Sequence, residues 1–130
     1  MTDQQKCEEQ LTKAFELMWG KFPEPVMLIH RSRTVIAVNE CCKQYGGVPG
    51  TKCNAVNPEK HKGCKANVAL DKNEAIRQDS LSGETKIIGY WIPLTGVPDY
   101  YVHFGIGMVD SIKAQQTPSP QETGDPSSNC

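Results

Sequence analysis

The sequence predicts an α+β domain, an antiparallel five-stranded sheet with short helices on one face and an amphipathic helix ahead of it. Three observations predict it. The coarse order of elements is helix, two strands, several short helices, three strands, which is the segregated pattern of an α+β fold. The strand candidates are neighbours in sequence, joined by turns, which makes their pairing antiparallel. And 130 residues suffice for one domain with one core.

The first element is a helix over residues 3–22. Cys7, Leu11, Ala14, Phe15, Met18 and Phe22 recur at helical spacing, with Glu8, Glu9, Lys13 and Glu16 among them. Thr2 or Asp3 suits its N-cap, and Gly20, Pro23 and Pro25 stop it. The apolar stripe packs either on the domain's own sheet or on a second copy. A hairpin follows: PVMLIH (25–30), the charged turn RSR, and TVIAVN (34–39), rich in β-branched residues. Gly46, Gly47, Pro49 and Gly50 keep the helices of the next segment short. HKGCKANVALDKNEA (61–75) carries a clearer helix, with Cys64, Val68 and Ala69 on one face. Three strands close the fold: AIRQDSLSG (75–83), ETKIIGYWIPL (84–94) and DYYVHFGIGMVDSI (99–112). In the last, Tyr101, His103, Gly105 and Gly107 alternate with Tyr100, Val102, Phe104, Ile106 and Met108, so one face is apolar and the other mixed.

The chain thus divides into a helix over 1–23, a domain over 24–113 and a tail over 114–130. The tail holds three prolines and almost no apolar side chains, a composition expected to stay disordered. Apolar content of 38% and charged content of 22% are ordinary for a globular protein. A net charge of -1 offers no bulk attraction to nucleic acid or anionic lipid. No apolar run approaches the roughly 20 residues that span a bilayer, and the N-terminus lacks the apolar core of a signal peptide. The expected location is the cytoplasm, where thiols are normally reduced.

The order of elements resembles a PAS domain over roughly residues 24–112. EPVMLIHRSRTVIAVNE is similar to the first PAS hairpin, ending in the Asn that opens the next helix. NECCKQYGGVPGTKC is similar to the stretch where that helix ends in a Tyr-Gly turn and a Gly-Lys-like step. YWIPLTGVPDYYVHFGIGMVDSI is similar to the last hairpin, with Asp-Ser-Ile where PAS domains carry Asp-Ile-Thr. The resemblance implies a sensory or interaction module with a pocket between sheet and helices, passing changes through flanking helices. It implies Asp110 at the signal exit and the N-terminal helix as the flanking helix. The partners it suggests are a second copy through that helix and a separate output protein.

Four of the six cysteines, with one histidine, fall in residues 39–64: Cys41, Cys42, Cys53, His61, Cys64. Structural zinc motifs bring their cysteines in close pairs such as C-x2-C, and the one close pair here is His61-x2-Cys64. Adjacent cysteines diverge by about 100° on a helix. Three readings stay open. The thiolates hold an iron–sulfur cluster, as some PAS sensors do in this region, or, with His61, a structural zinc. They form a redox pair. Or they pack as small apolar residues. Cys7, on the helix stripe, is read as a packing residue, and Cys130 is given no role.

His30, Tyr90, Trp91, Tyr101 and His103 lie on strands, and the resemblance makes His30, Tyr90, Trp91 and His103 pocket candidates for a small molecule. A haem is a minor alternative, and the C-x-x-C-H attachment signature is absent. No G-x-S-x-G, H-E-x-x-H or phosphate-binding glycine loop is present, so the chain is not expected to be an enzyme. The sequence therefore suggests a sensory domain responding to redox state, oxygen or a small ligand through its cysteine-rich segment. A ligand-free interaction module and a small-molecule carrier are the alternatives.

Overall fold

Residues 2–52 and 65–116 are described by the computed structural model, with side chains through residue 114. Cys53, His61 and Cys64, and nearly all of the tail, lie outside the described residues. The chain forms α1 (Asp3–Trp19), β1 (Val26–His30), β2 (Val35–Val38), α2 (Glu40–Gln44), α3 (Ala66–Lys72), β3 (Ile76–Ser82), β4 (Thr85–Leu94), β5 (Val97–Ile106) and α4 (Met108–Gln116). The five strands form one antiparallel sheet in the order β2-β1-β5-β4-β3. Chain neighbours pair through tight turns, and β5 enters the centre beside β1. Two two-residue turns set the closing meander, one holding Gly83 at φ 64 and one holding Gly96 at φ 79. Both conformations favour glycine.

Side chains alternate between two faces, and different helices cover them. On one face, Val26, Leu28, Ala37, Tyr100, Val102 and Phe104 pack under Phe15 of α1, with Leu11, Trp19 and Tyr90 against them. On the other, Ile29, Val35, Val38, Trp91 and Tyr101 pack under Cys42 of α2 and Ala66, Ala69 and Leu70 of α3. The expected PAS-like α+β architecture is therefore the observed one, with the flanking helix on the face opposite the short helices.

Several element readings change. Thr2 caps α1 in a capping box with Gln5. The packed stripe of α1 is Cys7, Leu11, Phe15 and Trp19, while Ala14 and Met18 point outward. Trp19 displaces Met18 because its ring closes against Phe22 and Phe104, both at centroid distances near van der Waals contact (5.3 Å). In α3 the buried face is Ala66, Ala69 and Leu70, not Val68, which is exposed. The last strand ends at Ile106 rather than running to residue 112. Gly107 (φ 98) turns the chain, and the position needs glycine because a side chain there would collide with the Lys86 carbonyl. The following residues form α4, so Asp110 is an exposed residue in the first turn of a helix and not the end of a strand. Residues 114–116, expected in the tail, belong to that helix.

Candidate functional site

The site is built where β2 runs into α2. The Asn39 side chain caps α2 by accepting from the Cys42 N–H (2.9 Å), and Glu40 adds a carboxylate to its first turn. Tyr45 closes the helix, and Gly46 (φ 98) then turns the chain away. Cys41 and Cys42 are both buried, and as adjacent helical residues they face different surroundings. Cys42 enters the core between the sheet and α3. Cys41 lines a shallow cavity of about 240 Å³ with Gly20, Lys21, Phe22 and Glu40, between the end of α1 and α2.

The two sulfurs also differ chemically. Cys41 is disulfide-bonded, its partner lying outside the described residues. Cys42 is a free thiol, and burial pushes its pKa from 9.0 up to about 11 because the thiolate would lose its hydration. Gly47 completes its surroundings. Its N–H donates to the Cys42 carbonyl (2.8 Å), and a Cβ there would overlap the Cys42 sulfur. Among the described residues, no group of three His, Cys, Asp or Glu side chains is placed to hold a metal ion.

Of the pocket candidates, Trp91 and His103 lie together on the face covered by α2 and α3. They are register partners on β4 and β5, and their rings stack at 4.7 Å and 14°. His103 Nδ1 is 2.8 Å from the Tyr90 carbonyl, which can only accept, so Nδ1 carries the proton. His30 and Tyr90 are corrected: they lie on the α1 face. Strand register decides it, since His30 pairs with Tyr100 and Tyr90 with Phe104, both α1-side residues. His30 stacks edge-on against Tyr100 (4.9 Å), and its Nδ1 accepts from the Ser32 N–H (3.1 Å). Tyr100 in turn donates to Glu8 of α1 (2.7 Å); burial, then that carboxylate, raises its phenol pKa.

Residues outside the sequence reading shape the site too. Arg33, at φ 77 in the β1–β2 turn, donates to Asn67 of α3 (3.0 Å) with its guanidinium over Tyr101. Arg31 bridges Asp71 of α3 and Asp99 of β5. The RSR stretch, read only as a turn, thus pins α3 to the sheet. Its alternating arginines were the available signal.

No protein-family model and no curated protein matches the chain. Solved structures do. A sensory box sensor histidine kinase from Vibrio cholerae is 11% identical, with a TM-score of 0.56 over 81% of this chain and 95% of that one. A phage VqmA–DPO complex is 13% identical, with a TM-score of 0.59 over 91% of this chain and 63% of that one. The Photoactive Yellow Protein domain of the sensor histidine kinase Ppr from Rhodospirillum centenum is 17% identical, with a TM-score of 0.52 over 72% and 90%. At these identities the likeness is one of fold, and it is the PAS-like fold.

Proposed function

We propose that this PAS-like domain is a sensory and signalling module whose input is redox state, read by Cys41. The observation that carries the reading is the contrast at the start of α2. One buried sulfur is in a disulfide, and its neighbour is a protonated thiol sealed in the core. Forming the disulfide removes two electrons and two protons from two thiols. A hydroperoxide that takes them leaves as water and an alcohol, and a dithiol reductant returns them. Cys42, kept neutral, stays out of exchange. In a reducing cytoplasm such a bond is a switch rather than a staple.

The fold supports this role by likeness to domains of two sensor histidine kinases. The iron–sulfur and zinc readings need Cys41, Cys42, Cys53, Cys64 and His61 as ligands. They are not favoured because Cys41, one of those ligands, is in a disulfide. Responses to oxygen through a metal are therefore not the reading favoured here. A small ligand beside Trp91 and His103 is the second reading, favoured by their stacked, partly buried rings on the face that α2 covers. Output runs through α4 and its Asp110. A second copy docks on α1, where Leu17 and Met18 are 87% and 75% exposed.

The test is alkylation with a thiol reagent followed by peptide mass analysis, before and after hydroperoxide. With the chain unfolded for labelling, the reading expects the Cys41 site to lose its label on oxidation and regain it with a dithiol, while Cys42 carries its label in both states. Equal labelling of Cys41 in both states would sink it.

A further inference from the structure

We infer that Glu24, together with Asn39, is the mechanical joint through which α2 sets the position of both flanking helices. This rests on the proposed input at Cys41, and it deepens that reading by naming the route out of the site.

Asn39 is 1% exposed and saturated. Its Oδ1 accepts from Val26 N (3.0 Å) and Cys42 N (2.9 Å). Its Nδ2 donates toward the carbonyls of Trp19 (3.2 Å), Phe22 (3.1 Å) and Glu24 (2.9 Å). The Glu40 N–H adds a bond to the Gly20 carbonyl (3.2 Å). The first turn of α2 is therefore bonded to the last turn of α1 and to the linker that leads into β1. A buried amide with every group paired holds one geometry, because any shift leaves polar atoms unpaired in a dry site.

Glu24 extends the same network to the other end of the chain. Its carbonyl belongs to Asn39, and its carboxylate forks across the start of α4. Oε2 accepts from Gly107 N (3.1 Å) and Oε1 from Val109 N (3.0 Å). These are N–H groups that a helix start leaves without helical partners, and an anion suits that end of the helix dipole. Further contacts seat α4: Val109 and Ser111 are buried, and Ser111 donates to Ser82 (2.8 Å). Glu24 is nonetheless the one residue in this network that holds Asn39 with its backbone and α4 with its side chain. Among the described residues, a displacement of α2 at Cys41 reaches α1 through Asn39 directly, and reaches the start of α4 through Asn39 and Glu24.

The asymmetry gives the test. Hydrogen exchange is followed across the full chain, oxidised and dithiol-reduced, for the wild type and for Glu24→Gln. Gln replaces one of the two forking oxygens by an NH2 donor and removes the charge, so one of the two N–H groups loses its own acceptor, and exchange at Gly107, Val109 and the next turn of α4 should accelerate about tenfold or more, with α1 unchanged. Reduction should alter exchange in both α1 and α4 in the wild type, and in α1 alone in the variant. Unchanged α4 exchange in Glu24→Gln would overturn the joint. So would an α4 response to reduction that survives the substitution. If reduction leaves α2 itself unaltered in the wild type, the redox input fails, and the joint is judged by the oxidised comparison alone.

Discussion

Removing the Asn39 side chain should unfold much of what the domain's N-terminal half depends on. Asn39→Ala strips the acceptor from two buried N–H groups, Val26 and Cys42, and the donor from three carbonyls. Each buried N–H left unpaired costs about 1–3 kcal/mol. The α2 cap, normally about 1 kcal/mol, is already counted in the Cys42 bond. The carbonyls of Trp19 and Phe22 sit nearer the surface, where water can replace the amide. The sum for the two N–H groups centres on about 4 kcal/mol, a large share of the 5–15 kcal/mol of a typical domain. Urea unfolding followed by tryptophan fluorescence measures it, since Trp19 and Trp91 report on opposite faces of the sheet. Asn39→Asp provides an internal control. It keeps the cap but aims a carboxylate at three carbonyl oxygens, so it should lose more stability at ~pH 8 than at ~pH 4, where a protonated carboxyl can donate to one of them. A loss below about 1 kcal/mol for Asn39→Ala, with an unchanged slope, would refute the network as the reason the linker, α1 and α2 hold together.

Three further outcomes are expected. Gly47→Ala should destabilise by about 1–3 kcal/mol, measured by thermal unfolding, because the added methyl overlaps the Cys42 sulfur and the nearby backbone cannot yield. Stability should fall as pH rises from 9.0 toward about 11, since the buried Cys42 thiol holds its proton longer than the unfolded chain does. Below the lower value that contribution is complete, and Cys42→Ala should remove about 2–3 kcal/mol of the decline in urea unfolding across the window. Leu17→Lys with Met18→Lys should leave thermal stability within about 0.5 kcal/mol, as both are exposed, yet shift a dimer to monomer in sedimentation.

Much of the fold was legible because its signals are local. The hairpin runs 25–30 and 34–39 gave β1 and β2 within a residue or so, and the alternation in 99–106 gave the two faces of β5. The end of β5 was not legible. Met108, Val109 and Ile112 continue an apolar pattern, and the turn at Gly107 and the distant carboxylate of Glu24 on the first N–H groups of the helix carry no local signal. The α1 stripe was half right, since Ala14, Leu17 and Met18 have the spacing of a second apolar face that the sheet does not reach.

The site was legible as a segment and not as a geometry. Cys41 and Cys42 were singled out, and their divergence on a helix followed from helical pitch. That Cys42 is the one sealed in the core depends on packing from α3 and the sheet, which no spacing encodes. His30, Tyr90, Trp91 and His103 were named together as pocket candidates without a face, because which of them share a face is fixed by strand register with the neighbours. Glu24 gave no signal at all, being a single acidic residue between two prolines whose partner lies 85 positions away.

The central proposal is that Cys41 is a reversible redox sensor within this PAS-like fold. The most direct measurement is the thiol count of the full-length protein by mass, treated in its native state with hydroperoxide or with excess dithiol and then unfolded for alkylation. The account predicts two more labelled sulfurs after reduction, one of them Cys41, with the sheet's circular dichroism unchanged. A chain that carries the same labels in both conditions, or one in which bound iron and sulfide occupy these cysteines, would contradict it.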